Sequence, residues 1–142
     1  MRLLATSIRA RLEGDPMNLA SEKKREDVVD LVRAALPDVV GIYRFGSWTT
    51  PNEHAGSDVD LALLPAQPLD GLVRWELAQD LARLLKRDVD LVDLRAASTV
   101  LRAQVIAKGE RLFCADISAC DTFEDLAFSA YAHLNEARRG IL

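Results

Sequence analysis

The sequence predicts an α/β domain, a small mixed sheet flanked by helices. Three short apolar runs carry the strands: Val39 to Phe45, Asp58 to Leu64 and Val89 to Val92. Longer stretches repeat apolar residues at helical spacing, most plainly Ser21 to Leu36 and Asp70 to Lys86. A length of 142 residues suits one domain, and 49% apolar residues are enough for a core.

Residues Met1 to Pro16, ending Glu13-Gly-Asp-Pro16, read poorly as core. They are expected to form an N-terminal extension, disordered or not native, with Met17 as an alternative start and residues 17–142 as the single domain. The first helix carries Val28, Val29, Leu31, Val32 and Leu36, and ends before Pro37, because the residue before a proline is pushed out of the helical region. The first strand follows. Trp48 to Gly56 reads as a polar, turn-rich loop, and the second strand stops at Pro65. Asp70 is a candidate N-cap for a helix to Lys86, with Leu72, Val73, Leu77, Leu81, Leu84 and Leu85 expected on its buried side. After the third strand, Ser98 caps a helix to Lys108, and Gly109 fits the position just past its end. Glu110 to Cys114 is expected as a short extra strand. Thr122-x-x-Asp125 has capping-box spacing and opens a final helix with Phe123, Leu126, Ala127, Ala130, Tyr131 and Leu134 at helical spacing.

Composition narrows the function. A net charge of −4 disfavours broad contact with nucleic acid phosphates, so no direct DNA or RNA binding is expected. No apolar run approaches the ~18 residues of a membrane span, and no leader pattern opens the chain, which predicts a cytoplasmic protein without membrane attachment. Cys114 and Cys120 lack metal-ligand spacing and are expected to be ordinary buried thiols.

The chemistry concentrates where the first two strands meet. Gly46 and Ser47 end the first strand, and Asp58-Val59-Asp60 opens the second. Residues two apart on a strand share a face, about 6.6 Å apart, so Asp58 and Asp60 aim their carboxylates the same way. Two like charges repel by about 4 kcal/mol at 4 Å in an effective dielectric near 20. A cation between them removes that repulsion, and oxygen-only ligands suit Mg²⁺ or Mn²⁺. A third acid is available from Asp88, Asp90 or Asp93. Asp90 is chosen because it sits mid-strand among apolar neighbours, where an acid needs a partner. Gly41-x-x-x-x-Gly46 mimics the glycine spacing of a P-loop, but Ser47 replaces the obligatory lysine, so that reading fails.

A Gly-Ser pair, an Asp-x-Asp separated from Ser47 by ten residues and a later strand aspartate together resemble the nucleotidyltransferase core of the DNA polymerase β superfamily. The small size resembles the minimal nucleotidyltransferase (MNT) subfamily. Arg74-Trp-Glu-Leu-Ala-Gln79 and Asp88-Val-Asp-Leu-Val-Asp-Leu-Arg-Ala-Ala-Ser-Thr-Val-Leu101 closely resemble the MntA-type antitoxins of HEPN/MNT toxin–antitoxin modules. The resemblance implies a polymerase β-like fold and a type VII antitoxin. It implies transfer of AMP from ATP to a tyrosine of a HEPN RNase toxin. Carried onto this sequence, Gly46 and Ser47 hold the triphosphate, Asp58 and Asp60 bind Mg²⁺ (or Mn²⁺), and Asp90 completes the metal set and helps activate the attacking hydroxyl. The competing readings are a non-enzymatic antitoxin that inhibits by binding and a small-molecule nucleotidyltransferase.

Other residues invite plainer readings. Arg44 is placed either to reach phosphates or to form an ion pair. Arg95, Arg102 and Lys108 are expected on solvated helix faces. Trp48 suits a base or loop packing equally, and Trp75 suits core or interface. His54 and His133 are expected at the surface or partly buried. Nothing around Tyr43 or Tyr131 argues for self-modification. The Phe123–Leu134 stripe is expected to be a core face that can double as a docking face.

Overall fold

The computed structural model describes residues 16–46 and 58–139. In chain order the elements are α1 (Pro16–Ala35), β1 (Gly41–Phe45), β2 (Val59–Leu64), α2 (Gly71–Leu85), β3 (Val89–Asp93), α3 (Thr99–Lys108), β4 (Glu110–Cys114) and α4 (Ile117–Arg138). The strands form one mixed sheet in the order β3-β2-β1-β4. β1 runs antiparallel to both neighbours, whereas β2 and β3 are parallel and joined through α2. A parallel pair needs such a crossover, because its strands must enter the sheet from the same end.

Strand alternation sorts the core onto two faces. Ile42, Leu61, Leu63 and Leu91 pack against Val28 and Val32 of α1 and Leu77 and Leu81 of α2. Tyr43, Ala62 and Leu64 turn the other way, toward Leu94, Val105 of α3 and the half-buried Phe123 of α4. The expected strands and helices are all present. Ser98 caps α3 by accepting from the Leu101 N–H at 3.1 Å, and the Gly109 N–H closes its end on the Val105 carbonyl.

Three details depart from expectation. In α2 only Leu77 and Leu81 are fully buried; Leu72, Val73, Leu84 and Trp75 are exposed, Trp75 by 60%. The stripe facing the sheet runs through Leu77, Ala78, Leu81 and Leu85, and Arg74, exposed one turn before Leu77, donates to the Leu91 carbonyl at 3.1 Å. Leu72, Val73 and Leu84 therefore flank the buried stripe. Asp70 also makes no side-chain capping bond, although its backbone is extended as a cap requires.

The last helix begins at Ile117, not at Thr122. Asp116 follows β4 almost directly and accepts from the Ala119 N–H at 3.2 Å, so the helix is capped before Thr122 is reached. The same tight connection overturns the expectation of separate thiols. Cys114 at the end of β4 and Cys120 in the first turns of α4 are paired as a disulfide, with Cα atoms 6.7 Å apart. Among the described residues no helix is long and apolar enough to cross a membrane.

Candidate active site

β1 ends at Phe45, and Gly46 leaves the strand with φ of +74°, in the left-handed region. A Cβ added there would collide with the Asp60 carboxylate, lying 3.2 Å from its Cγ. Both conditions require glycine: only it adopts this φ without strain and only it lets the turn close on Asp60.

The sheet register assembles the acids. Phe45 pairs with Asp60 across β1–β2, and Asp60 pairs with Asp90 across β2–β3. Asp60 and Asp90 thus stand side by side on neighbouring parallel strands, which lie about 4.8 Å apart. Asp58 sits just before β2 and is exposed; Asp90 is exposed and Asp60 half-buried. Burial raises the Asp60 pKa above the usual carboxylate value, and the nearby charges of Asp90 and Asp58 raise it further. The three acids expected from the sequence are therefore electrostatically coupled. Among the described residues, no three Asp, Glu, His or Cys side chains converge as a ready-made metal cage. The chemistry of the row nevertheless suits a hard divalent cation: all its donors are carboxylate oxygens, and their mutual repulsion is what such a cation relieves. Ser47, Trp48 and His54 lie outside the described residues.

The opposite face of β1 supports the glycine turn. Arg44 donates to Glu110 at 3.0 Å and to the Gly46 carbonyl at 3.4 Å, so it is ion-paired rather than turned to the acid row. Arg25 of α1 pairs with the other oxygen of Glu110, and its Nε is buried without a hydrogen-bond partner among the described residues. One carboxylate thus joins α1, β1 and β4 beneath the turn. Behind the site, the Tyr43 hydroxyl donates to Glu124 at 2.9 Å, and burial pushes its pKa well above that of a free tyrosine. That environment makes Tyr43 a poor nucleophile.

Asp93, offered by the sequence only as an alternative third acid, has a structural task. It is 7% exposed and accepts from the backbone N–H groups of Leu69 at 2.8 Å and Arg95 at 2.9 Å. It fixes the end of β3 and the approach to α2, and it is not part of the acid row. The signal lay in the alternation, which puts Asp93 on the face opposite Asp90. Arg95 and Arg102 also depart from expectation. Both are half-buried and hold backbone carbonyls, Arg95 that of Pro65 and Arg102 those of Leu94 and Arg95. Trp75 and His133 are exposed, as is Lys108.

A glycine turn closed on an aspartate of the neighbouring strand, with a second aspartate in register beyond it, puts a close backbone approach beside carboxylates that suit a hard cation. Residues 18–118 match the family described as Polymerase beta, Nucleotidyltransferase. The chain belongs to this nucleotidyltransferase family. It is 44% identical over 115 residues to the protein adenylyltransferase MntA of Shewanella oneidensis, covering 81% of this chain and 82% of that protein. Among solved structures, a toxin–antitoxin crystal structure with AMP-PNP superposes with a TM-score of 0.77 at 43% identity, covering 82% of this chain and 94% of the matched chain. A structure of the tri-AMPylated Shewanella oneidensis HEPN toxin in complex with MNT antitoxin gives a TM-score of 0.75 at 40% identity, covering 85% and 94%. The nucleotidyltransferase fold foreseen from the strand motifs is therefore the fold observed.

Proposed function

We propose that this nucleotidyltransferase is the antitoxin of a HEPN/MNT module, a Mg²⁺-dependent protein adenylyltransferase that transfers AMP from ATP to a tyrosine of its HEPN RNase toxin. The observation that carries the reading is the Asp60–Asp90 register beside the Gly46 turn, in a chain 44% identical to a protein adenylyltransferase. Residues 17–142 are the working domain, Met1 to Pro16 an extension, and the site of action the cytoplasm.

Each residue has a task. The Gly46 turn offers backbone N–H groups to the triphosphate at a close approach that a side chain would block. Ser47 follows it in sequence and supplies a hydroxyl donor. Asp58, Asp60 and Asp90 are the ligands for Mg²⁺ or Mn²⁺, which when bound neutralises charge on the triphosphate and on the oxygens that attack and leave. In the transfer, the tyrosine oxygen bonds to the α-phosphorus, the bond from that phosphorus to the bridging oxygen breaks, and pyrophosphate departs. The phenolic proton passes to Asp90, whose exposure leaves it open to an incoming side chain. Asp60, recessed beside the glycine turn, would be one of the carboxylates that hold the cation. A tyrosine hydroxyl has a pKa of about 10, so it attacks well only when its proton has somewhere to go.

The test is peptide mass spectrometry on the purified HEPN toxin after incubation with this protein, ATP and Mg²⁺. AMP on a tyrosine is the expected result. An unmodified toxin whose RNase activity is still suppressed would replace this reading with inhibition by binding.

A further inference from the structure

The stripe Phe123, Leu126, Ala127 and Ala130 has the spacing of a helix-packing face, yet α3 covers only part of it. Leu126 is 64% exposed, and Ala130 is exposed as well. Between α4, the start of α3 and the segment after β2 the stripe borders an open groove of about 550 Å³, whose polar lining is Arg95, Thr99 and Arg102. Both guanidiniums are held by carbonyls, and among the described residues neither is paired with a carboxylate. Arg102 also lies over the Phe123 ring, 5.7 Å from its centre. A carbonyl orients a guanidinium without cancelling its charge. In a protein of net charge −4, the groove is thus a local pocket of positive charge with an apolar floor. Asp116, at the neighbouring rim, is engaged in capping α4.

We propose that this groove seats an amphipathic helix of the HEPN toxin, with apolar side chains against Leu126 and the alanines and an acidic side chain on Arg95 and Arg102. The inference rests on the antitoxin reading above and assigns its docking surface. A helix suits the occupant because the exposed Ala130 is small enough for a second backbone to come close, and the stripe already repeats at helical spacing. An acid suits it because carboxylates pair with guanidinium forks through two parallel hydrogen bonds. The groove is separate from the chemistry: Arg95 grips the carbonyl of Pro65, five residues from Asp60, about 16 Å along an extended strand. Docking there raises local toxin concentration without altering the acid row.

The test uses the full-length protein and purified toxin. Leu126→Glu and Ala130→Glu each put a negative charge on an exposed wall position, so folding should survive; Leu126→Ala serves as the milder companion. The expected result is toxin Kd and the KM for toxin raised at least tenfold by the Glu variants and a few-fold by Leu126→Ala. Melting temperature, ATP affinity and kcat at saturating toxin should stay at wild-type values. Toxin affinity within twofold of wild type in all three variants would overturn the proposal. So would loss of an anilinonaphthalene sulfonate probe from the groove in the Glu variants with toxin binding intact, which would make this a small-anion site. Failure of the antitoxin reading looks different, because wild-type protein would then neither bind nor modify the toxin.

Discussion

Replacing Gly46 with alanine puts a methyl group where the Asp60 carboxylate now lies. The added Cβ would sit 3.2 Å from Asp60 Cγ and 3.4 Å from its Cβ, with the carboxylate oxygen nearer still. Asp60 can rotate away or the turn can open, and either move pulls apart groups that the β1–β2 register brings together. The backbone adds its own cost, since φ of +74° disfavours any residue with a Cβ by about 1–2 kcal/mol. For a domain of this size that corresponds to a melting temperature lower by about 3–8 °C. Misplacing a reacting group by about 1 Å costs on the order of a hundredfold in rate, so kcat for AMP transfer should fall by about that factor while most of the protein remains folded at 25 °C. Initial rates of toxin labelling at saturating ATP, with a thermal melt on the same samples, separate the two effects. A Gly46→Ala protein with wild-type kcat would refute the argument that the turn needs glycine to admit Asp60.

Other predictions follow from the charges. Burial and the neighbouring acids raise the Asp60 pKa, so the folded protein keeps that proton to higher pH than the unfolded chain does. The contribution of Asp60 to stability is therefore best below the ordinary carboxylate pKa and declines as pH rises toward the raised folded value. In metal-free buffer at neutral pH, Asp60→Asn should melt higher than wild type yet transfer no AMP, and added Mg²⁺ should stabilise wild type more than the variant. Glu110→Gln leaves Arg25 and Arg44 facing each other without their shared carboxylate; urea denaturation should show a loss of about 1 kcal/mol, since the pair is partly solvent-screened. Asp93→Ala strands the N–H groups of Leu69 and Arg95 and should cost about 2–4 kcal/mol by the same method, with ATP affinity per folded molecule unchanged. Equal stability of that variant would show that the β3 end is held by something else.

Much of this site was legible in the sequence because strands impose a simple parity. Asp58-x-Asp60 and Asp88-x-Asp90 announce shared faces, and short apolar runs bounded by Pro65 and by the Trp48–Gly56 loop announce the strands. What parity cannot supply is register. That Asp60 faces Asp90, and not Asp88, depends on how α2 delivers β3 to the sheet. Helix faces were harder. The apolar Leu72, Val73 and Leu84 suggested a broad buried side for α2, but only Leu77 and Leu81 are fully buried, and the exposed Arg74 ties the helix to β3 through a backbone hydrogen bond that composition does not reveal. The start of α4 was misplaced because Thr122-x-x-Asp125 has capping spacing; Asp116, closer to β4, reaches the role first. The Cys114–Cys120 pairing followed from that tight connection, not from cysteine spacing. The roles of Arg95 and Arg102 became visible only once the carbonyls of Pro65 and Leu94 were placed.

The most direct measurement is the intact mass of the HEPN toxin after incubation with ATP, Mg²⁺ and either the wild-type protein or the Asp58→Asn, Asp60→Asn double variant. The account predicts added mass in steps of one AMP with wild type and none with the variant, and loss of toxin RNase activity in parallel with the mass gain. Added mass from the double variant, or RNase silencing by wild type without any added mass, would contradict it.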